Sequence, residues 1–468
     1  MHIGGRPVVT DRAWRVELPY DGTEVATICE AGPEQVDAAV AAAVAAAPVM
    51  KEMTLDQRAV ILRKVHQTVL ERADALALVL CSESGKPIRE ARAEVGRAAE
   101  TLLFSAEEAR RLCGEVVPME ASPAGKGRWA MTLREPVGVI AAITPFNFPL
   151  NLAMHKIGPA IAAGNAVVHK PATATPLTAL IMAGIFEECG LPQGALNVIT
   201  GPGGSVGDLL VTHPQVAMVT FTGSPEVGLR IRALAGMKRV TLELGSNSAV
   251  IVEDDADLEA AAARCVTGSF ANSGQVCISV QRIFARRSVH NELVDRMAEG
   301  ARKLAIGHPH DPATEISSLI TVKEAERVEE WIEEATRAGA KLVTGGGRQR
   351  ATIEPAILRE VPVQVRLCAK EAFGPVVAVN ACASLDEAIA MVNASDYGLQ
   401  ASIYTRDIEK AFRAARQVHV GGFLINEVPA FRLDQMPYGG VKLSGMGREG
   451  PKYAIEEMTE IKLVTWRS

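Results

Sequence analysis

None of the eight cysteines stands in a Cys-x-x-Cys pair; they fall at 29, 81, 113, 189, 265, 277, 368 and 382. That spacing offers neither zinc-ligand pairs nor a disulfide framework, so a reducing cytoplasm is the expected compartment. A long apolar run is missing as well. Met1-His-Ile-Gly-Gly-Arg-Pro has no hydrophobic signal core, and no stretch approaches the ~20 apolar residues that cross a bilayer. The greasiest segment, Val36 to Val49, is mostly alanine and reads as a buried or amphipathic helix. Positive charge is not in excess either. With 49 Lys and Arg against 55 Asp and Glu the net charge is −6, and the basic residues are scattered. Nucleic acid and membrane are therefore not expected partners. Repeats, low-complexity tracts and flexible linkers are also lacking. What remains is an ordinary globular composition, 48% hydrophobic over 468 residues, long enough for about three domain-sized units.

Helical texture dominates residues 33–113: Pro33-Glu34 opens an Ala-rich run, Thr54 resembles a helix start, and Arg58–Leu80 and Ile88–Arg111 carry helical spacing. Gly114, Pro118, Pro123, Gly125 and Gly127 then break the pattern, and Arg128–Leu133 alternates like a hairpin arm. From Pro136 onward short β-branched runs such as Val137–Ile143, Ala166–His169 and Met218–Phe221 alternate with helical segments. That alternation predicts an α/β fold with a doubly wound parallel sheet. A second α/β stretch runs to about residue 427, and Glu457–Trp466 alternates like an edge strand.

Several phrases carry chemistry. Phe270-Ala-Asn-Ser-Gly274-Gln275-Val276-Cys277 puts a cysteine just after a Gly-Gln turn, and Glu243 lies 34 residues upstream in Leu242-Glu243-Leu244-Gly245-Ser246. A thiol that becomes a thiolate and a carboxylate that activates water suffice to make and hydrolyse a thioester. Phe221-Thr-Gly223-Ser224-Pro225 follows a strand and opens a helix, whose free N–H groups suit a phosphate. Alone, that phrase reads first as an ordinary turn, since it is neither G-x-G-x-x-G nor a P-loop. Val168-His169-Lys170-Pro171 ends a strand at the edge where α/β sheets bind ligands, though a solvated lysine explains it as well. Thr144-Pro145-Phe146-Asn147-Phe148-Pro149 encloses an amide that either donates to a developing oxyanion or completes a turn. Lys370-Glu371-Ala372-Phe373-Gly374-Pro375 has the same texture.

In this order, and with Pro437-Tyr-Gly-Gly-Val-Lys-Leu-Ser-Gly-Met-Gly447 behind them, the phrases resemble the aldehyde dehydrogenase superfamily over nearly the whole chain. The resemblance implies a Rossmann-like cofactor domain (1–115 and 136–243), a catalytic α/β domain (244–445) and a small β oligomerisation arm (116–135 and 446–468). It implies NAD or NADP as cofactor, a small aldehyde as substrate, and a homodimer or homotetramer. Cys277 would be the nucleophile, Glu243 the base for the deacylating water, and Asn147 with the Cys277 N–H the oxyanion hole. On the cofactor side it puts Thr144, Pro145, Lys170, Thr173, Gly223, Ser224, Glu371 and Phe373. Glu449 matches a secondary acidic position that relays protons. No histidine accompanies Cys277, so its thiol is expected to be lowered by local N–H groups and the cofactor's positive ring.

Three departures stand out: Ser246 replaces a second glycine, Lys370 a common acid, and Thr173 a frequent glutamate. Glutamate would bind the ribose 2′-OH and repel a 2′-phosphate; threonine does neither, so NADP is expected to be tolerated. Arg97, His155 and Arg432 match positions where relatives acting on anionic aldehydes place cationic anchors. His155, two helical turns beyond Asn147, is expected near the substrate entrance. The implied substrate carries a phosphonate, carboxylate or sulfonate, although Val276 stands where several phosphate- or phosphonate-using relatives have arginine. Small neutral aldehydes are the runner-up. A CoA-acylating enzyme is disfavoured by Glu243, a non-enzymatic crystallin-like role by the presence of all three implied catalytic residues, and no metal is expected, His308-Pro-His310 reading as a surface turn.

Overall fold

The computed structural model describes residues 1–467. Two sheets organise the chain. In the first, Leu196–Val198, Ala166–Lys170, Val139–Ile143, Met218–Thr222 and Arg239–Glu243 lie side by side in parallel. Their strand order reverses beside Val139–Ile143, which makes that edge a switch point for ligand binding. Antiparallel edges come from the N-terminal His2–Ile3, which no pattern anticipated, and from Gly445–Met446. The second sheet runs Lys341–Thr344, Ala356–Arg359, Val376–Cys382, Arg282–Arg286, Ala249–Val252, Gln400–Tyr404 and Gly422–Ile425. Central strands such as Val139–Ile143 and Ala249–Val252 are buried along their whole length, as parallel strands covered by helices on both faces must be.

Helix ends follow local chemistry. Thr54 and Gln57 form a reciprocal capping box, and Asp257, Thr321, Ser384 and Asp407 cap their own helices. The stretch Arg58–Leu80, expected as one helix, is two: Leu55–Glu71 and Ala73–Ser84 meet at Arg72 (φ −104°, ψ 18°), whose guanidinium reaches Glu188 on a neighbouring helix. Helix Asn151–Ala163 is buried at every position, between the first sheet and the helix Ile88–Ala109.

A separate ribbon joins distant parts of the chain. Thr459–Arg467 pairs antiparallel with Arg128–Pro136 over nine residues, with Val116–Val117 beyond it. The second half of this ribbon begins at Thr459 rather than near 446. Gly445–Met446 pair with Arg239–Glu243 instead, and the intervening helix Pro451–Glu457 packs on Asn151–Ala163. Trp129, Leu133, Ile461, Leu463 and Trp466 stand exposed along the ribbon, the two indoles stacked 6.4 Å apart. Among the described residues no single helix is long and apolar enough to cross a membrane.

Candidate active site

A cleft of about 560 Å³ opens between the two sheets. Glu243 ends a strand of the first sheet, and Asn147 follows the strand Val139–Ile143; both face this cleft. Cys277, which precedes the strand Arg282–Arg286 of the second sheet, faces it from the other side. Pro145, Gly223, Ser224, Glu371 and Phe373 line the same space. Thr144, Lys170, Thr173, Arg97, His155 and Arg432 do not.

The approach to Cys277 is strained. Asn272 (φ 48°), Ser273 (φ 53°) and Gly274 (φ 73°) are consecutive left-handed residues. For the two that carry side chains this conformation costs on the order of 1–3 kcal/mol each, and it persists only where surroundings enforce it. They do so here. Asn272 Nδ2 donates to Asn147 O (3.2 Å), and Ser273 Oγ donates to Ser317 O (3.0 Å). A Cβ on Gly274 would fall 2.0 Å from Gly374 O, so only glycine allows this contact. Asn147 is held in turn: its carbonyl accepts from Lys86 Nζ (2.6 Å), and its Nδ2 donates to Gln275 O (2.9 Å). Lys86 is paired with Glu94, and Glu94 Oε1 also accepts from the N–H groups of Leu150 (2.9 Å) and Asn151 (3.1 Å). This buried clamp was not seen in the sequence.

The thiol meets the hydroxyl of Tyr438, Sγ to Oη 2.9 Å. Burial pushes the Cys277 thiol up to about 11, against the Tyr438 hydrogen bond and the Arg432 charge, which pull it down. The expected lowering is therefore not a property of the free chain. Neither oxygen of Glu243 has a hydrogen-bond partner among the described residues. Burial, then the nearby Glu449 carboxylate, raise the Glu243 carboxyl well above its ordinary value. A buried acid without a partner, raised in this way, holds a proton more tightly than an exposed carboxyl does.

Arg97 and His155 do come together, but on an acid the sequence analysis left without a role, and Arg432 joins them only through His155 (3.3 Å). Asp434 accepts from Arg97 Nη2 (2.8 Å) and Nε (3.2 Å) and from Asn151 Nδ2 (3.0 Å), and its Oδ1 lies 2.8 Å from His155 Nε2. Burial would raise Asp434; the His155 hydrogen bond and the His155 and Arg97 charges hold it well below the carboxylate range. His155 does not line an entrance: it is fully buried, on a helix with no exposed position. Arg432 stacks on the Tyr438 ring (3.6 Å to the centroid) and reaches Glu449 Oε2 (3.3 Å). Its Nε is buried without a partner among the described residues. Glu449 is also paired with Lys156 (2.6 Å), and although burial opposes it, Lys156, His155 and Arg432 bring Glu449 down to about 2.

A model of the aldehyde dehydrogenase family matches residues 9–464. The chain belongs to the aldehyde dehydrogenase family. It is thus an NAD(P)-dependent oxidoreductase acting on an aldehyde group. It is similar to the 3-sulfolactaldehyde dehydrogenase of Priestia megaterium, 48% identical over 464 residues that cover 99% of this chain and 97% of that protein. Similarity also extends to the lactaldehyde dehydrogenase of Methanococcus aeolicus, 41% identical over 96% of each. Among solved structures, glyceraldehyde-3-phosphate dehydrogenase GapN from Methanocaldococcus jannaschii, complexed with NADP, has a TM-score of 0.94 at 39% identity, covering 98% of this chain and 100% of that one.

The cleft of this aldehyde dehydrogenase fits the dinucleotide. Ser224 caps the helix Pro225–Leu234, whose first turn lines the cleft with Pro225 and Glu226. A Cβ on Gly245 would lie 2.2 Å from Glu371 Oε2, so the glycine keeps that carboxylate open, and burial raises it to about 8. Phe373 (φ 49°) meets Phe146 edge-on at 5.8 Å. Lys170 lies at the strand edge beside Gly207, its Nζ on Pro171 O (2.8 Å), and burial lowers it to about 8. Thr144 is turned inward to His169 (2.9 Å), and Thr173 donates to Gly201 O (3.2 Å). Ser246 is buried, its hydroxyl 3.1 Å from that of Ser248 and its N–H donating to Glu371 Oε1 (2.9 Å).

The clamp yields a stability prediction. Lys86→Met strands the fully buried Glu94 carboxylate and should cost about 3–5 kcal/mol. Urea denaturation measures the loss; an unchanged midpoint would mean that the pair does not hold the turn.

Proposed function

We propose that this enzyme oxidises a small aldehyde bearing an anionic group to the corresponding acid, through a thioester on Cys277. Arg432 carries the reading: a buried guanidinium beside the thiol, with Nε uncommitted, is a ready donor to a sulfonate or carboxylate. Val276, directly before the thiol, removes the extra cation that would suit a phosphonate. The names of the relatives lean the same way, since sulfolactaldehyde and glyceraldehyde 3-phosphate are anionic three-carbon 2-hydroxyaldehydes. Lactaldehyde has that skeleton without the charge, and Asp434 already engages both contacting nitrogens of Arg97. Those two observations favour the second reading, a neutral small aldehyde.

In the proposed cycle the Cys277 thiol gives its proton to solvent in the cleft, its sulfur bonds to the aldehyde carbon, and the carbonyl oxygen becomes an oxyanion. Asn147 Nδ2 has a second hydrogen beyond the one given to Gln275 O and donates it to that oxygen together with the Cys277 N–H. One such donor is worth a factor of about 10²–10³ in rate. NAD(P), when bound, supplies the hydride acceptor, and Glu371, Ser224, Phe373 and Lys170 hold it. The thioester left on sulfur is attacked by water as Glu243 takes the water proton; the carbon–sulfur bond breaks and the acid leaves. Solvent in the cleft then takes the proton from Glu243, while the Glu449 anion, paired to Lys156, keeps Glu243 basic. Thr173, bonded to its own chain, neither selects the 2′-OH nor excludes a 2′-phosphate, so both dinucleotides are taken. The exposed ribbon is the oligomerisation surface, because its apolar rows need a covering copy.

Arg432→Ala should raise KM for the anionic aldehyde roughly 10- to 100-fold and leave KM for a neutral analogue near wild type, with kcat lowered for both because Arg432 also faces the thiol. Steady-state kinetics over both aldehyde types, with NAD and NADP in parallel, decides; a KM that the substitution leaves unchanged for every anionic aldehyde rejects the charge reading. For Glu243→Gln, stopped-flow absorbance at 340 nm should record one equivalent of reduced cofactor and then almost no turnover. In the wild type the rate of thioester hydrolysis should rise with pH through the raised carboxyl of Glu243, well above the ordinary ~4.3. Ile461→Glu combined with Leu463→Glu should shift the sedimentation coefficient toward a single chain, whereas an unmoved boundary would place the interface elsewhere.

A further inference from the structure

Tyr438 sits in a small apolar cluster with Val276, Ile278 and Leu399, where a phenyl ring alone would satisfy packing. It carries a hydroxyl nonetheless, and that hydroxyl lies against the reacting sulfur. Its backbone is pinned on both sides: Tyr438 N donates to Glu449 O (3.0 Å), and Glu449 N donates to Tyr438 O (2.7 Å). Its ring is pinned from above by the Arg432 guanidinium. The next residue, Gly439, passes so near Glu243 that a Cβ there would lie 2.8 Å from Oε1. One short loop therefore touches the thiol, the unpartnered acid and the substrate-side arginine.

We propose that Tyr438 is a positioning residue for Cys277: its hydroxyl donates to the sulfur and favours the thiolate, while Arg432 fixes the phenol in the donating orientation. This rests on the reading of Cys277 as the nucleophile. The sulfur is otherwise in an environment that resists ionisation. Glu371 and Glu243 face it with negative charge, and only Arg432 and the Tyr438 O–H oppose burial. Tyr438 itself faces Cys277, Arg432 and Glu243, and burial raises its phenol well above the ordinary value, so it donates and does not itself ionise. Glu449, His155 and Asp434 face Arg432, Glu449 and His155 in direct contact with its guanidinium. A hydrogen bond to a charged acceptor is strong enough to move a thiol by about one to two pH units.

The test is the pH dependence of iodoacetamide labelling, read by mass spectrometry on the peptide that contains Cys277, since Cys113 is exposed and labels independently. Tyr438→Phe keeps the ring under Arg432 and should move the labelling midpoint upward by about one to two units, with a wild-type melting temperature. Below the midpoint the labelling rate should fall roughly 10- to 100-fold, and kcat should fall more than KM changes. Placing 3-fluorotyrosine at 438, a better donor of nearly the same shape, should move the midpoint downward, and it serves where the phenylalanine variant fails to fold. Midpoints that stay put in both variants overturn the role of Tyr438. Full turnover by Cys277→Ala, or by enzyme labelled at Cys277, instead removes the thioester reading on which the role rests.

Discussion

One main-chain carbonyl ties the site together. Asn147 O accepts from Lys86 on the helical layer and from Asn272 on the left-handed turn that delivers Cys277. The first sheet and its helices thereby fix a turn belonging to the second. Two adjacent non-glycine residues in the left-handed region do not persist on local preference, and the bonds from Asn272 and Ser273 offset their strain. The Lys86–Glu94 pair costs much to bury, which makes it weak evidence of stability by itself. Its value is geometric: it holds the backbone on which the Asn147 amide is mounted, at the cleft that Cys277 also lines.

Charge behind the thiol is arranged by the same economy of position. Six ionisable groups, Arg97, His155, Lys156, Arg432, Asp434 and Glu449, form one connected set through direct contacts or short ion pairs. The two carboxylates in it are held ionised by cations, one well below its usual range and the other at about 2. Glu243 lies just outside the set and has no donor of its own, so the Glu449 charge adds to burial and raises it. Two acids within one site are thus driven apart, one fixed as an anion and the other raised and left able to take a proton.

Much of this was legible in the chain. Glu243 and Cys277 stood in phrases that end a strand and precede one, and a parallel α/β sheet places such ends at a common crevice. Alternation gave the ribbon strands, whose partner lies more than 300 residues away in sequence only because a hairpin arm needs some edge to pair with. Asp434, Tyr438 and the Lys86–Glu94 clamp were not legible. Asp434 meets Arg97 across 337 positions and His155 across 279, and Tyr438 meets Cys277 across 161. No periodicity links residues at such separations. The anchors Arg97 and His155 were found by type, yet type alone does not show that an acid already engages them. The burial of the thiol was likewise not legible, because the packing of Val276, Ile278 and Leu399 beside it is a tertiary fact.

Arg432 is where these strands of argument meet. It borders the thiol on one side and the charge set on the other, and its fixed guanidinium plane offers donors in several directions at once. With Glu449 on Nη2 and the phenol ring on its face, Nε is the donor left over. A substrate anion bonded there would place negative charge beside Tyr438 and Glu449 and draw part of the arginine's field away from the sulfur. Binding the anion and ionising the thiol therefore compete for one cation. An enzyme built this way gains from a second donor to the sulfur that the substrate does not disturb, and a neutral hydroxyl meets that need better than another charge.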